Sequence, residues 1–485
     1  LQIAFNDHLG WTHTVNPMDG CDLYHLRLAG SAFDDGYVLD NQVHSFVTTY
    51  ETIQIRQSDG SMTSEILHIR RAKQGPVTEM NGQVLAVRLA LLETSLLAGM
   101  NRQWWQMGQA RSLQEFQATL QKGHLPLFNV IYADRNKNIM LAFNGIIPVR
   151  PVGDTAFWQM PVPGDDASLI WENSYAYNDL PKSINPSSGW VQNSNSAPWY
   201  MTMPFLDRNE YPSNIAANVI NNRELRGLQM LNEHPHMSYA ELMTAKHSTH
   251  ALVADQVLDE LMAAARDSDD PLLVKAAEVL EHWNRQYLAE SRGGPLFYKW
   301  LEKWLDKTIA QAADTHPNYH FTPDQLMGNL FYAKPFDPNE PLNTPHGLAD
   351  VPLSLAALRE AAEELQKLAG ALNLAWGDFA RLRRNGIDLP GNGAPTALGV
   401  FREIAYEPDK DGKLASSAGD TYIALIEFSN PIHAQVLMTY GNATQQSAFK
   451  LDDQLTLAAQ LQLRPAWRTL AEIEVNEVMR EKLIH

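Results

Sequence analysis

The chain has 485 residues, with 38 Lys and Arg against 56 Asp and Glu, a formal net charge of −18, and no clustered basic tract. Phosphate backbones and anionic membrane surfaces are held by clustered positive charge, so neither is an expected partner. No apolar run approaches the roughly 20 residues that span a bilayer. Cys21 is the single cysteine, which excludes an intramolecular disulfide and a cysteine-based metal site.

In chain order, Leu1-Gln2-Ile3-Ala4-Phe5 reads as a buried strand. It carries no initiator Met and no signal-type segment, and a domain rarely begins inside its own core, so the expectation is that residues precede it. Residues 1–90 are β-rich: the segments 43–56 and 64–70 carry Val, Thr, Ile and Tyr, and Ser58-Asp59-Gly60 marks a hairpin turn between them. Residues 85–121 shift toward helical spacing. The runs Phe128–Asp134 and Asn138–Phe143 flank the polar turn Arg135-Asn136-Lys137 and predict a second hairpin. Residues 148–213 are irregular but rich in Trp and Tyr, which suits an ordered functional surface better than disorder. Residues 215–312 and 351–370 read as helices, and Asp420–Phe428 and Val436–Tyr440 as strands split by Asn430-Pro431. Strands at both ends with helices between predict one α+β unit spanning 1–485, with a helical insertion at 215–370, whose sheets combine distant segments.

Several generic motifs carry nothing. Gly391-Asn392-Gly393 follows Leu389-Pro390 rather than a strand, so a turn is the better reading. Ser447-Ala448-Phe449-Lys450 has the Ser-x-x-Lys pattern without its companion motifs. His247 and His250 on a helix, and His234 and His236 around a proline, come without an acidic third ligand for zinc.

Three segments carry chemistry together: Trp11-Thr12-His13-Thr14-Val15-Asn16, Trp190 to Trp199 with its Gln192-Asn193-Ser194-Asn195 core, and Gly419 to Phe428. An Asn NH₂ can donate to an oxyanion, more strongly in a walled, dry loop; the plainer alternative is an Asx-turn loop bonding its own backbone. Asp420 could orient a histidine or be a solvated acid at a strand end.

The ordered series Phe128-Asn129, Tyr132-Ala133-Asp134, Phe143-Asn144-Gly145, Ala156-Phe157-Trp158-Gln159, Val162-Pro163-Gly164-Asp165, Asp179-Leu180-Pro181, Val191-Gln192-Asn193-Ser194-Asn195 and Met438-Thr439-Tyr440-Gly441-Asn442 resembles the penicillin and cephalosporin acylase family. The likeness is nearest to glutaryl-type cephalosporin acylases and acyl-homoserine-lactone acylases. The resemblance implies an α+β fold, the αββα sandwich of N-terminal-nucleophile hydrolases. It implies a self-cleaving precursor, giving a small and a large subunit in the periplasm, and a large subunit beginning with Ser, whose α-amino group is the base.

Carried over by position, the backbone oxyanion donor is Val15 and the side-chain donor Asn195. Asp420 matches the histidine-orienting acid, there Glu. Arg223 matches an Arg near the site, or is a helix-start surface ion pair. The Ser and His of the family belong to a segment before Leu1, so this chain alone is expected to be inactive and the small subunit to be its partner. Trp104, Leu127 and Phe128 match acyl-pocket positions. Gln2 stands where glutaryl-type enzymes carry an Arg for the distal carboxylate; a Gln cannot supply that charge, so an uncharged acyl chain is expected. No cofactor is implied apart from a structural calcium option, in which Asp19, Cys21 (through its carbonyl), Asp22 and Asp207 would supply oxygen ligands. The implied reaction is hydrolysis of a side-chain amide, on a β-lactam or on a lactone signal. The competing class is a non-catalytic paralogue that keeps the fold as a binding protein.

Overall fold

The computed structural model describes residues 2–90, 94–315, 323–441, 454–477 and 480. It divides into two compact units, Leu1–Asn218 and Val219–His485. The Ser447–Lys450 motif and Asn442 lie outside the described residues.

In the first unit, a five-stranded antiparallel sheet runs in the order Ala4–Phe5, Leu9–Thr14, Asn129–Asp134, Ile139–Phe143, Lys182–Ile184. The second hairpin forms as its sequence predicts, and Asp134 shapes the turn. Its carboxylate accepts from the N–H groups of Asn136 (2.8 Å) and Asn138 (2.9 Å) and from the Tyr132 hydroxyl (2.8 Å). Lys137 takes the left-handed conformation, φ 67°. One face of the sheet packs Trp11, Val130 and Tyr132 against Phe116 and Leu120 of the helix Leu113–Leu120. Register matters here because side chains alternate faces: pairing Thr14 with Asn129 and His13 with Val130 sends Trp11 and Tyr132 into the core together.

A second sheet pairs Val162–Pro163, Cys21–His25, Gln83–Leu89 and Val77–Met80. The first predicted hairpin is two ten-residue strands, Val47–Arg56 and Met62–Arg71. Asp59 accepts from the Ser61 N–H at 2.9 Å across its turn.

Three expectations change. The opening segment is a two-residue, half-buried strand on the edge of its sheet rather than a buried one. Helical spacing does not start at 85: Gln83–Leu89 is a strand, captured by pairing with Cys21–His25, and the helices are Thr94–Gln109 and Leu113–Leu120. The expected pairing of distant segments occurs inside the first unit, where Leu9–Thr14 pairs with Asn129–Asp134, but among the described residues no sheet combines the two ends of the chain.

The second unit carries the predicted helices, broken into Asn222–Glu233, Tyr239–Lys246, Leu252–Arg266, Pro271–Glu281, Gly294–Thr315 and Val351–Ala369. Three of the starts are capped by side chains that accept from the first turn, Asn221 on Glu224 (2.9 Å), Asp270 on Leu272 (2.9 Å) and Asp350 on Leu353 (2.8 Å). Trp300, Trp304 and Trp376 are buried in its core. Strands Tyr422–Glu427 and His433–Met438 form the predicted C-terminal pair.

Phe116 is fully buried between Trp11 and Tyr132, with ring centroids 5.8 and 4.9 Å away. Phe116→Ala is expected to destabilise the first unit by about 3–5 kcal/mol, read as a lowered chemical-denaturation midpoint of the full-length protein.

Candidate functional site

The strand Leu9–Thr14 ends one residue before Val15, and the loop carrying Asn195 comes to it. The Asn195 carboxamide nitrogen donates to the Val15 carbonyl at 2.8 Å, joining residues 180 apart in sequence. The two residues assigned to the oxyanion are therefore neighbours.

Asn193 is what places them. Its side-chain oxygen accepts from the Asn195 N–H (2.8 Å), the Thr14 hydroxyl (2.9 Å) and the Asn129 carboxamide (2.9 Å). The first bond is the Asx-turn that the plainer reading foresees; the other two tie the turn to the ends of two strands. Local turn and long-range contact coexist, so they are not alternatives at this loop. Asn195 adopts φ 66°, a left-handed conformation that Asn tolerates better than most residues.

Val15 is 61% exposed and Asn195 is exposed too. The pair is thus open where a dry, walled loop was expected from its aromatic flanks, although Trp199 and Tyr200 are themselves buried. A donor pair open to water stabilises charge less than an enclosed one.

Beside this pair lies a cluster of rings. Phe128 stacks on His13, with centroids 5.1 Å apart and planes 10° off parallel, and Trp104 sits 6.5 Å from Phe128. The Trp104 indole N–H donates to His13 Nε2 at 2.9 Å. Indole is only a donor, so Nε2 carries no proton and the ring proton is on Nδ1. Nδ1 is buried, and the Thr12 backbone favours a proton there. His13 is 6% exposed, and burial, the largest cause, lowers its pKa to about 4.

Phe128 has φ 119°, a conformation that side-chain-bearing residues rarely adopt. Asn16 and Asn144 hold it there. The Phe128 N–H donates to the Asn16 side chain (3.3 Å), and its carbonyl accepts from the Asn144 N–H (3.2 Å). The Asn16 carboxamide closes the link by donating to the Asn144 carbonyl at 2.7 Å. Leu127 is half-buried on the same segment. Gln2 is exposed and lies outside any strand.

Of the calcium-option residues, Asp19 and Asp22 share one basic partner. Arg150 makes a two-pronged pair with Asp22 (3.1 Å) and reaches Asp19 (2.9 Å) as well as the Asp19 carbonyl (3.2 Å). Its guanidinium thus supplies the positive charge that an ion would. Asp207 caps a short turn by accepting from the Asn209 N–H at 2.9 Å. Among the described residues, no group of three or more His, Cys, Asp or Glu side chains is placed to hold a metal ion.

In the second unit, Asp420 precedes the strand Tyr422–Glu427 and its N–H donates to the Glu403 carbonyl at 2.9 Å. Its carboxylate is held by Lys246 at 2.6 Å, with the fully buried Arg402 at 3.8 Å. Arg223 lies in the first turn of Asn222–Glu233 and is half-buried, more enclosed than a surface ion pair requires. Burial raises the pKa of Glu403, which feels Arg223, Lys246 and Arg402 as opposing charges and Asp420 as a like one. Arg223 and Asp420 therefore share one charged cluster. His247, adjacent to it, donates from Nδ1 to the Met243 carbonyl (3.0 Å), and burial lowers its pKa to about 4.

The sequence reading missed His13, Asn193, Asn16, Arg150, Lys246 and Arg402. His13 and Asn193 lie inside motifs already singled out, and their density in polar groups beside aromatics was the available signal.

Two predictions follow from this geometry. Arg150→Met leaves the fully buried Asp22 carboxylate unpaired and should cost about 3–5 kcal/mol, while a calcium chelator should leave the wild-type melting temperature unchanged. His13 and His247 both titrate lower in the folded chain than their ordinary 6.5. Their contribution to stability is then present above pH 6.5 and is lost as pH falls from 6.5 through about 4. Melting curves of His13→Phe should show a shallower loss across that window than wild type.

A profile of the family described as penicillin amidase matches residues 1–475. The acyl-homoserine lactone acylase PvdQ of Pseudomonas fluorescens Pf0-1 is 23% identical over 492 residues, covering 94% of this chain and 59% of that protein. The PvdQ of Pseudomonas putida KT2440 is 24% identical, covering 100% and 63%. Penicillin G acylase of Escherichia coli is 27% identical over 201 residues, covering 41% and 22%. The chain thus spans about three fifths of the length of the PvdQ relatives. The solved structure of a thermostable penicillin G acylase from Alcaligenes faecalis superposes with a TM-score of 0.68 at 18% identity, over 99% of this chain and 89% of that one. That likeness shows the fold, the α+β architecture of N-terminal-nucleophile hydrolases, and with the profile spanning nearly its whole length the chain belongs to the penicillin amidase family.

Proposed function

We propose that this chain is the greater part of the large subunit of an acylase that hydrolyses a side-chain amide, releasing a carboxylic acid from an acylated amine. The observation that carries the reading is the Asn195 carboxamide anchored on Val15 at 2.8 Å. An amide nitrogen has two hydrogens, so anchoring on a carbonyl does not by itself exhaust it as a donor. The Val15 N–H and the Asn195 carboxamide would hold the oxygen of the tetrahedral intermediate.

In this reading the nucleophile is the Ser that begins the large subunit in the family the chain resembles, a role assigned to no residue named here. Its hydroxyl attacks the amide carbon while its α-amino group takes the proton; that proton then passes to the leaving amine, and water releases the acid from the acyl-enzyme. Asp420, with Arg223 in the same charged cluster, would orient the family's histidine. The small subunit of the same precursor is the obligate partner, and maturation by self-cleavage in the periplasm completes this reading.

The acyl side is assigned to Trp104, Leu127 and Phe128. Gln2 brings no charge for a distal carboxylate, so the preferred acyl chain is neutral. The PvdQ relatives favour an acyl-homoserine lactone over a β-lactam as the amine half, since they align over nearly all of this chain whereas the E. coli penicillin acylase aligns over 41%. The opposing reading is a non-catalytic binding protein of the same fold.

The upstream sequence separates the two. A Gly-Ser-Asn followed by Asn-Pro-His supports the enzyme; Ala or Gly at the nucleophile position supports the binding protein. In the full-length enzyme, Asn195→Ala is expected to lower kcat about a hundred- to a thousand-fold. Rates on glutaryl and neutral acyl amides of equal length should favour the neutral chain, and a strong glutaryl preference would overturn that assignment.

A further inference from the structure

Among the described residues, the His13, Trp104 and Phe128 rings are where a buried titratable group, a strained backbone and a proposed substrate wall coincide. His13 is not needed by the chemistry proposed above. It sits two residues before Val15 on the strand Leu9–Thr14, with its partner Trp104 on the helix Thr94–Gln109 and Phe128 at the entry to the strand Asn129–Asp134.

Three constraints act on one imidazole. The Trp104 N–H fixes Nε2 as an acceptor at 2.9 Å. Phe128 covers a ring face at 5.1 Å, nearly parallel. Nδ1 is buried, with the Thr12 backbone favouring its proton. A phenylalanine would fill the same space. What histidine adds over phenylalanine is an acceptor for the Trp104 indole, and so a fixed rotation of that side chain.

We infer that His13 is a specificity-determining positioning residue: through the Trp104 hydrogen bond and the Phe128 stack it locks three rings from three different elements into one wall of the acyl site. The inference rests on the acylase reading and names what sets its chain preference. Asn16 and Asn144 fix the Phe128 backbone and so where its ring departs from, while the Trp104 ring cannot swing without breaking its bond to His13. A wall locked in this way discriminates acyl chains by length, because a chain that overruns it must displace a bonded indole. A loose wall would yield to longer chains.

The test uses the full-length, processed enzyme and a series of neutral straight-chain acyl-homoserine lactones, with kcat and KM measured separately. In His13→Phe the stack is kept and the acceptor lost; in Trp104→Phe the donor is lost. Each is expected to change the ratio of kcat/KM between the best chain and one longer by two carbons about ten-fold, the order of one altered wall contact. The change should fall mainly in KM. The double variant should differ little from either single one, because both remove the same bond. Circular dichroism and melting curves establish folding. If His13→Phe does not fold, Trp104→Phe carries the test alone, with the predicted shift in KM supporting the inference.

Folded variants with an unmoved chain preference, or losses that multiply in the double variant, overturn the inference while leaving the acylase reading intact. A wild-type enzyme that hydrolyses no acyl amide overturns both.

Discussion

The bond from the Asn195 carboxamide to the Val15 carbonyl is the constraint on which the rest depends. It joins positions 180 residues apart at 2.8 Å, and no local preference of either segment would produce it. It exists because two independent structures deliver its ends. The five-stranded sheet fixes where Leu9–Thr14 stops, through the register of Thr14 with Asn129. The Asx-turn at Asn193 fixes where Asn195 starts, and the same Asn193 oxygen is bonded to Thr14 and Asn129. One acceptor thus ties turn and sheet together, and an error in either would leave the buried Asn129 carboxamide short of a partner.

The acyl side follows a similar logic with different means. The bulky Phe128 at φ 119° is costly, by about 1–3 kcal/mol, and persists because Asn16 and Asn144 bond both ends of its peptide unit. Asparagine recurs throughout, at 16, 129, 144, 193 and 195, since one short side chain with both donor and acceptor can satisfy a backbone where regular pairing ends. The result is a backbone that leaves the sheet without losing its hydrogen bonds, and a surface whose polar groups are aimed by their neighbours.

How much of this was legible in the sequence varied with the range of the interaction. The hairpin at 128–143 could be read because alternation and a polar turn are local signals. Val15 and Asn195 could be read because they sit in an ordered series of motifs that resembles a known family. Asn193 and His13 lay in plain view inside those motifs, but their importance depends on partners more than 60 residues away, Asn129 and Trp104, which no spacing rule connects. Arg150 was invisible for the same reason: Asp19 and Asp22 had the spacing of oxygen ligands, and only tertiary structure shows a guanidinium 128 residues on from Asp22 answering their charge. The strand at 83–89 was mistaken for the start of a helical stretch because its sheet partner, Cys21–His25, decided its conformation against its neighbours in sequence.

The account is tested most directly by a crystal structure of the full-length, processed enzyme with an acyl boronate, whose tetrahedral adduct places an oxygen where the oxyanion forms. That oxygen should lie about 2.7–3.1 Å from both the Val15 nitrogen and the Asn195 carboxamide nitrogen. An adduct whose oxygen is bonded elsewhere, with Asn195 still turned wholly onto the Val15 carbonyl, would contradict it.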